Sequence, residues 1–320
     1  MNDIFDPNDD DRDDGAHEPR VGRGPDATAD RADGGRGHGA THAARVLDAA
    51  GYLEGLLTAG GAGDTLSCGF PSVDVLLGGG LRRGDLTALG GDVGCGKSSL
   101  ALAIALRAAQ AGRSVALFSG ELSVERLLER ALAIQGRARL DDLRHSRLDD
   151  AGYPAVAAAA LAMRDHPPLL AHLPPNGLAG MSDLLIEHLG LDLLVVDPLQ
   201  SLARGALPME EELAQVVRDL KGLAVRRDCS VLLVSHLGAA VRDREDPRPR
   251  LEDFGALGCV RQLADVVLGL YREELYETSR DVDGAAELHV LKHRGGATGY
   301  ADLYFYKQWL RFEDMVEPDR

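Results

Sequence analysis

The run Gly91-Asp92-Val93-Gly94-Cys95-Gly96-Lys97-Ser98 has the residue types and spacing to hold a chain of phosphates. Its glycines let the backbone bend until successive N–H groups point inward as an anion nest. A helix opening directly behind the loop adds the partial positive charge of its N-terminus. Lys97 is placed to reach β- and γ-phosphates, and Ser98 to set its hydroxyl on Mg²⁺, the mechanics of the pattern GxxxxGK[ST]. Gly91, Gly94, Cys95, Gly96, Lys97, Ser98 and Ser99 therefore form the candidate nucleotide-binding set, with ATP and Mg²⁺ as the implied ligands.

Magnesium also calls for a carboxylate at the end of a neighbouring strand. The run Leu193-Leu194-Val195-Val196-Asp197 is an apolar strand closed by one acid, so Asp197 joins Ser98 as a candidate metal residue. Hydrolysis further needs a group that orients or deprotonates the attacking water. Glu121 sits at the tip of the strand-like run Val115–Ser119 and is the candidate base. The competing reading of Glu121 is a first-turn glutamate favoured by the dipole of the helix that follows.

These residues need a scaffold that alternates strands with helices. Short leucine and β-branched runs at Leu86–Leu89, Val115–Ser119, Leu193–Val196 and Val231–Ser235 suit a parallel sheet buried on both faces. Helical patterns fall between them, at Ser98–Ala111, Val124–Gln135, Ala151–Arg164, Met181–Leu189 and Glu210–Arg227. Strand-like runs at Val266–Tyr271, Leu288–Leu291, Ala301–Tyr306 and Leu310–Phe312 follow without helices and extend the sheet. The expected fold is one α/β domain over residues 64–320, a mostly parallel twisted sheet flanked by helices with strands at its C-terminal end.

Residues 1–40 are rich in Asp, Gly, Arg and Pro and are expected to be a disordered acidic tail, either merely solvated or a partner-binding arm. Val46, Ala50, Leu53 and Leu57 form one apolar stripe on an expected helix over 41–59, which Gly60-Gly61-Ala62-Gly63 closes as a hinge.

The 320-residue chain is 45% apolar, ample for such a core, and carries a net charge of −16. That balance argues against a protein coated in basic residues for nucleic acid. The first 36 residues hold eleven acidic and five basic groups, so the rest is less acidic than the total suggests and a local basic channel stays open. Only four of the 35 basic residues are lysines, and two of them, Lys97 and Lys292, fall inside motifs, where a compact ammonium matters. The four cysteines are scattered with no CxxC, which points to neither zinc nor a disulfide framework. With no secretory signal pattern and no apolar run of membrane-spanning length, a cytoplasmic location is expected.

Several segments in order resemble the motor domain of DnaB-type hexameric helicases, a RecA-like ATPase core. They are Gly69–Asp74 with Gly78–Gly84, the phosphate loop, Phe118–Leu122, Val196-Asp197-Pro198-Leu199-Gln200, Val234-Ser235-His236-Leu237, Ala264-Asp265 through Glu274, Lys292-His293-Arg294 and Gln308–Glu313. The resemblance implies that Glu121 is the catalytic glutamate and that Gln200 belongs to the nucleotide site. Lys292 and Arg294 would be fingers that reach the γ-phosphate of a neighbouring subunit; on spacing alone they also fit a solvated strand end. A finger in trans implies a homo-oligomeric ring, a hexamer by resemblance. The helix over 41–59 would resemble the family's linker helix, docking on the next subunit or packing on its own domain. Replication or loader proteins would be partners of the acidic tail.

The chain departs from the family pattern in places. Residues 1–40 supply no counterpart of the family's helical collar. His236 stands where the family has glutamine, able to sense phosphate or DNA and also to titrate; Gly238 and Ala239 replace a polar pair. In the stretch Asp253–Gly258, which corresponds to the DNA-tracking loop, only Gly258 agrees. Arg242, Arg244, Arg248 and Arg250 are basic candidates for DNA, but they are interleaved with Asp243, Glu245 and Asp246 and equally fit a salt-bridged surface loop. The leading expectation is an ATP-driven ring translocase or helicase on single-stranded DNA. The alternatives are a RecA-fold regulatory or recombination ATPase of the RadA or KaiC kind, and a nucleotide-dependent interaction switch that unwinds nothing.

Overall fold

The computed structural model describes residues 64–188, 190–276 and 283–315, together with Asp48, Ala49, Leu53 and Glu54, the last three of them helical. The acidic tail expected over 1–40, and the remainder of the linker helix and hinge expected over 41–63, lie outside the described residues.

The strands read as continuous apolar runs are buried from end to end: β3 (Leu86–Gly91), β4 (Val115–Ser119), β6 (Leu193–Asp197) and β8 (Val266–Tyr271), with β7 (Ser230–His236) emerging only at His236. Helices cover both faces of these strands, which is why their sequences show no alternation. The meander β9 (Ala285–His293), β10 (Gly299–Tyr306) and β11 (Arg311–Asp314) alternates buried and half-buried positions, as strands covered on one face do. With the short strand β5 (Leu169–His172), all join one nine-stranded sheet in the order β11-β10-β9-β8-β3-β7-β6-β4-β5. Pairing is parallel from β8 through β5 and antiparallel from β8 through β11. A small ribbon of β1 (Thr65–Leu66) and β2 (Leu81–Arg82) stands apart from it, with the helix α1 (Pro71–Leu76) between them.

Two cores lie on opposite sides of the sheet. One is built on α2 (Lys97–Gln110) and α3 (Val124–Gly136), where Leu100, Ile104 and Leu127 meet Leu117, Val195, Val234 and the meander's Leu288, Leu303 and Phe312. After the short α4 (Leu140–Arg144), α5 (Gly152–Asp165) packs against α3. The other core sets α6 (Leu178–Leu184) and α7 (Met209–Arg227) against the reverse face, through Met181, Leu213, Val217 and Leu220 on Leu194, Val196 and Leu233. The turn α8 (Cys259–Leu263) leads into β8.

Two details differ from expectation. The helix expected over Met181–Leu189 runs from Leu178 to Leu184, because Gly177, at φ +56, turns the chain into the helix earlier. Strand β5 had no signal: it is half-buried, lies at the sheet edge and pairs only with β4. In parallel sheets, sites form outside the carboxyl ends of the strands. Here the ends of β3, β4, β6 and β7 deliver the phosphate loop, Glu121, Asp197 and His236 to one edge.

Candidate active site

The phosphate loop occupies the turn between β3 and α2. Gly96 has φ +105, and a Cβ there would lie 2.9 Å from the Phe312 ring. Any side chain at Gly96 meets both backbone strain and the C-terminal strand. The loop's carbonyls are held by cationic side chains. Lys97 Nζ donates to Gly91 O (2.9 Å) and Asp92 O (2.8 Å), and Arg242 Nη2 to Val93 O (3.4 Å). The buried Arg272 donates to Gly94 O (3.1 Å) and Cys95 O (3.4 Å) and stacks on Phe305. These five carbonyls are engaged, and within the turn Val93 N donates to Asp92 Oδ1 (2.6 Å) and Cys95 N to Asp92 O (3.3 Å), so an anion would be met by the loop's other N–H groups.

Asp197 ends β6 opposite Ser119, and its carbonyl accepts from Gly120 N (2.8 Å), which fixes the β4 tip beside it. Burial pushes the Asp197 carboxyl above its ordinary value; Glu121 adds to the rise, and the Ser98 hydroxyl, Lys97 and His236 oppose it. A Cβ on Gly120 would lie 2.2 Å from Ser201 Cβ, so only glycine allows this turn. Glu121 N and Leu122 N then both donate to Ser119 Oγ (3.3 and 3.0 Å), aiming the Glu121 side chain outward. Helix α3 is capped by Ser123 and carries Glu125 in its first turn. Glu121 thus precedes the helix, and the dipole-stabilising position belongs to Glu125. His236 ends β7 opposite Gly91, with Nε2 3.5 Å from Glu121 Oε1.

A cleft of about 370 Å³ is lined by Gly94, Gly96, Lys97, Ser98, Ser99, Glu121 and His236, and also by Arg130. Arg130 had no sequence signal, because beside Glu125, Arg126 and Glu129 it reads as one more charge on a solvated face. In the fold its Nε is buried without a hydrogen-bond partner. Burial pulls its guanidinium below its ordinary value, while the charges of Asp197 and Glu121 support it. The one clue was register: Leu127, Ala131 and Ile134 are buried positions of α3, and Arg130 adjoins them.

The remaining candidates do not line this cleft. Gln200 clasps the end of β7, its Oε1 accepting from His236 N (3.0 Å) and its Nε2 donating to Ser235 Oγ and His236 O (both 3.4 Å). Cys95 is buried and packs toward Gly91, and burial pushes its thiol up. Lys292 Nζ donates to the carbonyls of Arg261 (2.8 Å) and Ala264 (2.6 Å), while Arg294 reaches Gln262 O (2.7 Å) and Asp265 Oδ1 (3.2 Å). Arg294 borders a separate cavity of about 660 Å³ with Asp85, Asp265 and His293. Three of the four arginines offered for DNA are paired at home, Arg242 with Asp92, Arg244 with Asp253, and Arg248 with Asp246 and Glu287, while Arg250 is exposed and bonds Asp253 through its backbone N.

The donor set fits magnesium. A buried carboxylate beside a serine hydroxyl is an all-oxygen pair, as a hard cation prefers. Among the described residues no group of three or more His, Cys, Asp or Glu gathers to hold a metal by itself. A cation at Ser98 and Asp197 would take its other oxygens from phosphates and water.

The sheet order and the loop at the end of β3 define a P-loop protein with a RecA-like core. Two solved structures share this fold. One, an isolated ATPase domain, superposes with a TM-score of 0.76 at 24% identity, covering 83% of this chain and 96% of its own. The other, a DnaB-like replicative helicase described with its interactions with primase, gives 0.75 at 23% identity, covering 83% and 65%. Residues 65–314 match the family described as DnaB-like helicase C terminal domain, and the chain belongs to that family. Among curated relatives, replicative DNA helicase DnaB of Geobacillus stearothermophilus is 29% identical over 258 residues, 77% of this chain and 56% of that protein. Replicative DNA helicase DnaC of Bacillus subtilis is 27% identical over 254 residues, with the same coverage. The chain therefore spans little more than half the length of these relatives.

Proposed function

We propose that residues 64–320 are the ATP-hydrolysing motor of a DnaB-type helicase, working on single-stranded DNA as a ring, hexameric by resemblance. The observation that carries this is the convergence of Lys97, Ser98, Asp197, Glu121, His236 and Arg130 at one sheet edge, in a chain of the DnaB-like family. The loop's N–H groups and Lys97 bind the triphosphate. Magnesium, held by Ser98 and Asp197, would supply charge neutralisation between the phosphates. Glu121 orients and deprotonates the attacking water, and His236 senses its charge across 3.5 Å. Arg130, with an unmet donor, faces the charge that develops in the transition state.

Lys292 and Arg294 lie on β9 and its exit, bound to their own chain and not to this cleft. This placement supports fingers that serve a neighbouring subunit's nucleotide. The linker helix would join subunits, the acidic tail would meet replication or loader proteins, and the location would be cytoplasmic.

The experiment is ATPase rate with and without single-stranded DNA, for the wild type and Glu121→Gln. Stimulation by DNA that Glu121→Gln abolishes supports the motor. A second reading, a RecA-fold regulatory ATPase or nucleotide switch, is favoured by the internal pairing of Arg242, Arg244 and Arg248, which leaves that loop little free positive charge. Turnover indifferent to DNA would select the regulatory ATPase, and tight binding without turnover the switch.

A further inference from the structure

Asp92 is an awkward residue for a phosphate loop. Its carboxylate is largely buried within the same turn whose N–H groups would receive a triphosphate, and an uncompensated negative charge there opposes binding. Three donors converge on it. Arg242 Nε donates to Asp92 Oδ2 at 2.7 Å, the Tyr276 hydroxyl donates to the same oxygen at 3.0 Å, and Val93 N donates to Oδ1 at 2.6 Å. Only Arg242 brings a full positive charge. The same guanidinium reaches Val93 O, the loop carbonyl that neither Lys97 nor Arg272 holds. Arg242 comes from the segment that follows β7, 150 residues along the chain. Burial works to raise the Asp92 carboxyl, yet Arg242, the Val93 N–H and Tyr276 together hold it below its ordinary value, so the ionised pair is the resting state.

We propose that Arg242 is a positioning residue of the nucleotide site: it cancels the Asp92 charge, so that the loop accepts a triphosphate. The segment read as a basic DNA loop thereby acts on the phosphate loop of its own subunit. This rests on the nucleotide-binding reading above and adds a residue to it.

The test is a double-mutant cycle read as affinity for the non-hydrolysable analogue AMP-PNP with Mg²⁺, on the full chain, with adenosine as the uncharged control. Arg242→Ala raises Kd for the analogue about ten-fold, the scale of one partly screened charge near a phosphate site. Adenosine affinity stays constant. In the Asp92→Asn background the same Arg242→Ala change shifts Kd by less than about two-fold, because the charge it cancelled is gone. A general structural role would weaken both ligands and persist in the Asp92→Asn background. Equal Kd for wild type and Arg242→Ala, or an equal loss in both backgrounds, overturns the proposal while leaving the nucleotide site intact. No magnesium-dependent affinity in the wild type overturns both.

Discussion

At the scale of single residues, the proposed site divides into groups expected to bind and groups expected to act. Lys97 is buried and held by two loop carbonyls, so its ammonium is already positioned. Lys97→Ala should lose tight Mg-nucleotide binding, read by titration with a fluorescent analogue. Glu121 is half exposed and holds no loop carbonyl, so Glu121→Gln should keep binding while kcat falls about 10²–10⁴-fold, the usual weight of a positioned base. A parallel loss of affinity would place Glu121 among the binding groups. Arg130→Ala should likewise reduce kcat more than affinity, since its buried Nε has no structural partner to lose. Here sequence and structure part company. The glycines, Lys97, Ser98 and Asp197 were legible because phosphate chemistry demands those types at contiguous or strand-end positions. Arg130 and Arg272 were not, because a guanidinium's role depends on what faces it across the fold.

At the scale of elements, the C-terminal meander supports the phosphate loop. Phe312 is fully buried against Gly96 and Phe305, and Arg107 ties the β11 backbone to Gly69 ahead of α1. Phe312→Ala should cost about 3–5 kcal/mol of stability in denaturant unfolding. It should also weaken nucleotide binding, because Phe312 lies against Gly96; an unchanged affinity at full folding would show that the loop holds itself. The meander carries a pH-dependent contribution as well. Burial would raise the Glu287 carboxyl on β9, but hydrogen bonds from His289 and Arg248 hold it at about 2. A depressed carboxylate stabilises the fold above its unfolded pKa and loses that contribution as pH falls toward the folded value. Thermal stability should therefore drop between the usual glutamate range and about pH 2, with a smaller drop in Glu287→Gln. The strands of the meander were legible as strands. Their support of the loop was not, since it joins residues more than two hundred positions apart.

At the scale of the whole molecule, the finger role proposed for Lys292 and Arg294 can be tested by assembly. Both are engaged by the turn over 261–265 of their own chain, away from the cleft that holds Glu121. If they serve a neighbour, Lys97→Ala subunits mixed with Arg294→Ala subunits should recover part of the ATPase rate, because some interfaces then combine an intact cleft with an intact finger. No recovery in mixtures shown to co-assemble would place the fingers outside catalysis.

The sequence by itself determined where a triphosphate could sit and which strands would carry its metal and base. Those features are local: eight contiguous residues, an apolar run ending in an acid, a carboxylate at a strand tip. The tertiary structure alone decided which cations serve the site. Arg272 and Arg242 hold the loop's carbonyls, Arg130 enters the cleft, Gln200 turns to β7, and Arg244 and Arg248 are neutralised by acids of their own chain. Charge acts through space and falls off with distance, so a cation's function is set by the carboxylate or carbonyl the fold brings to it and not by its neighbours in the chain.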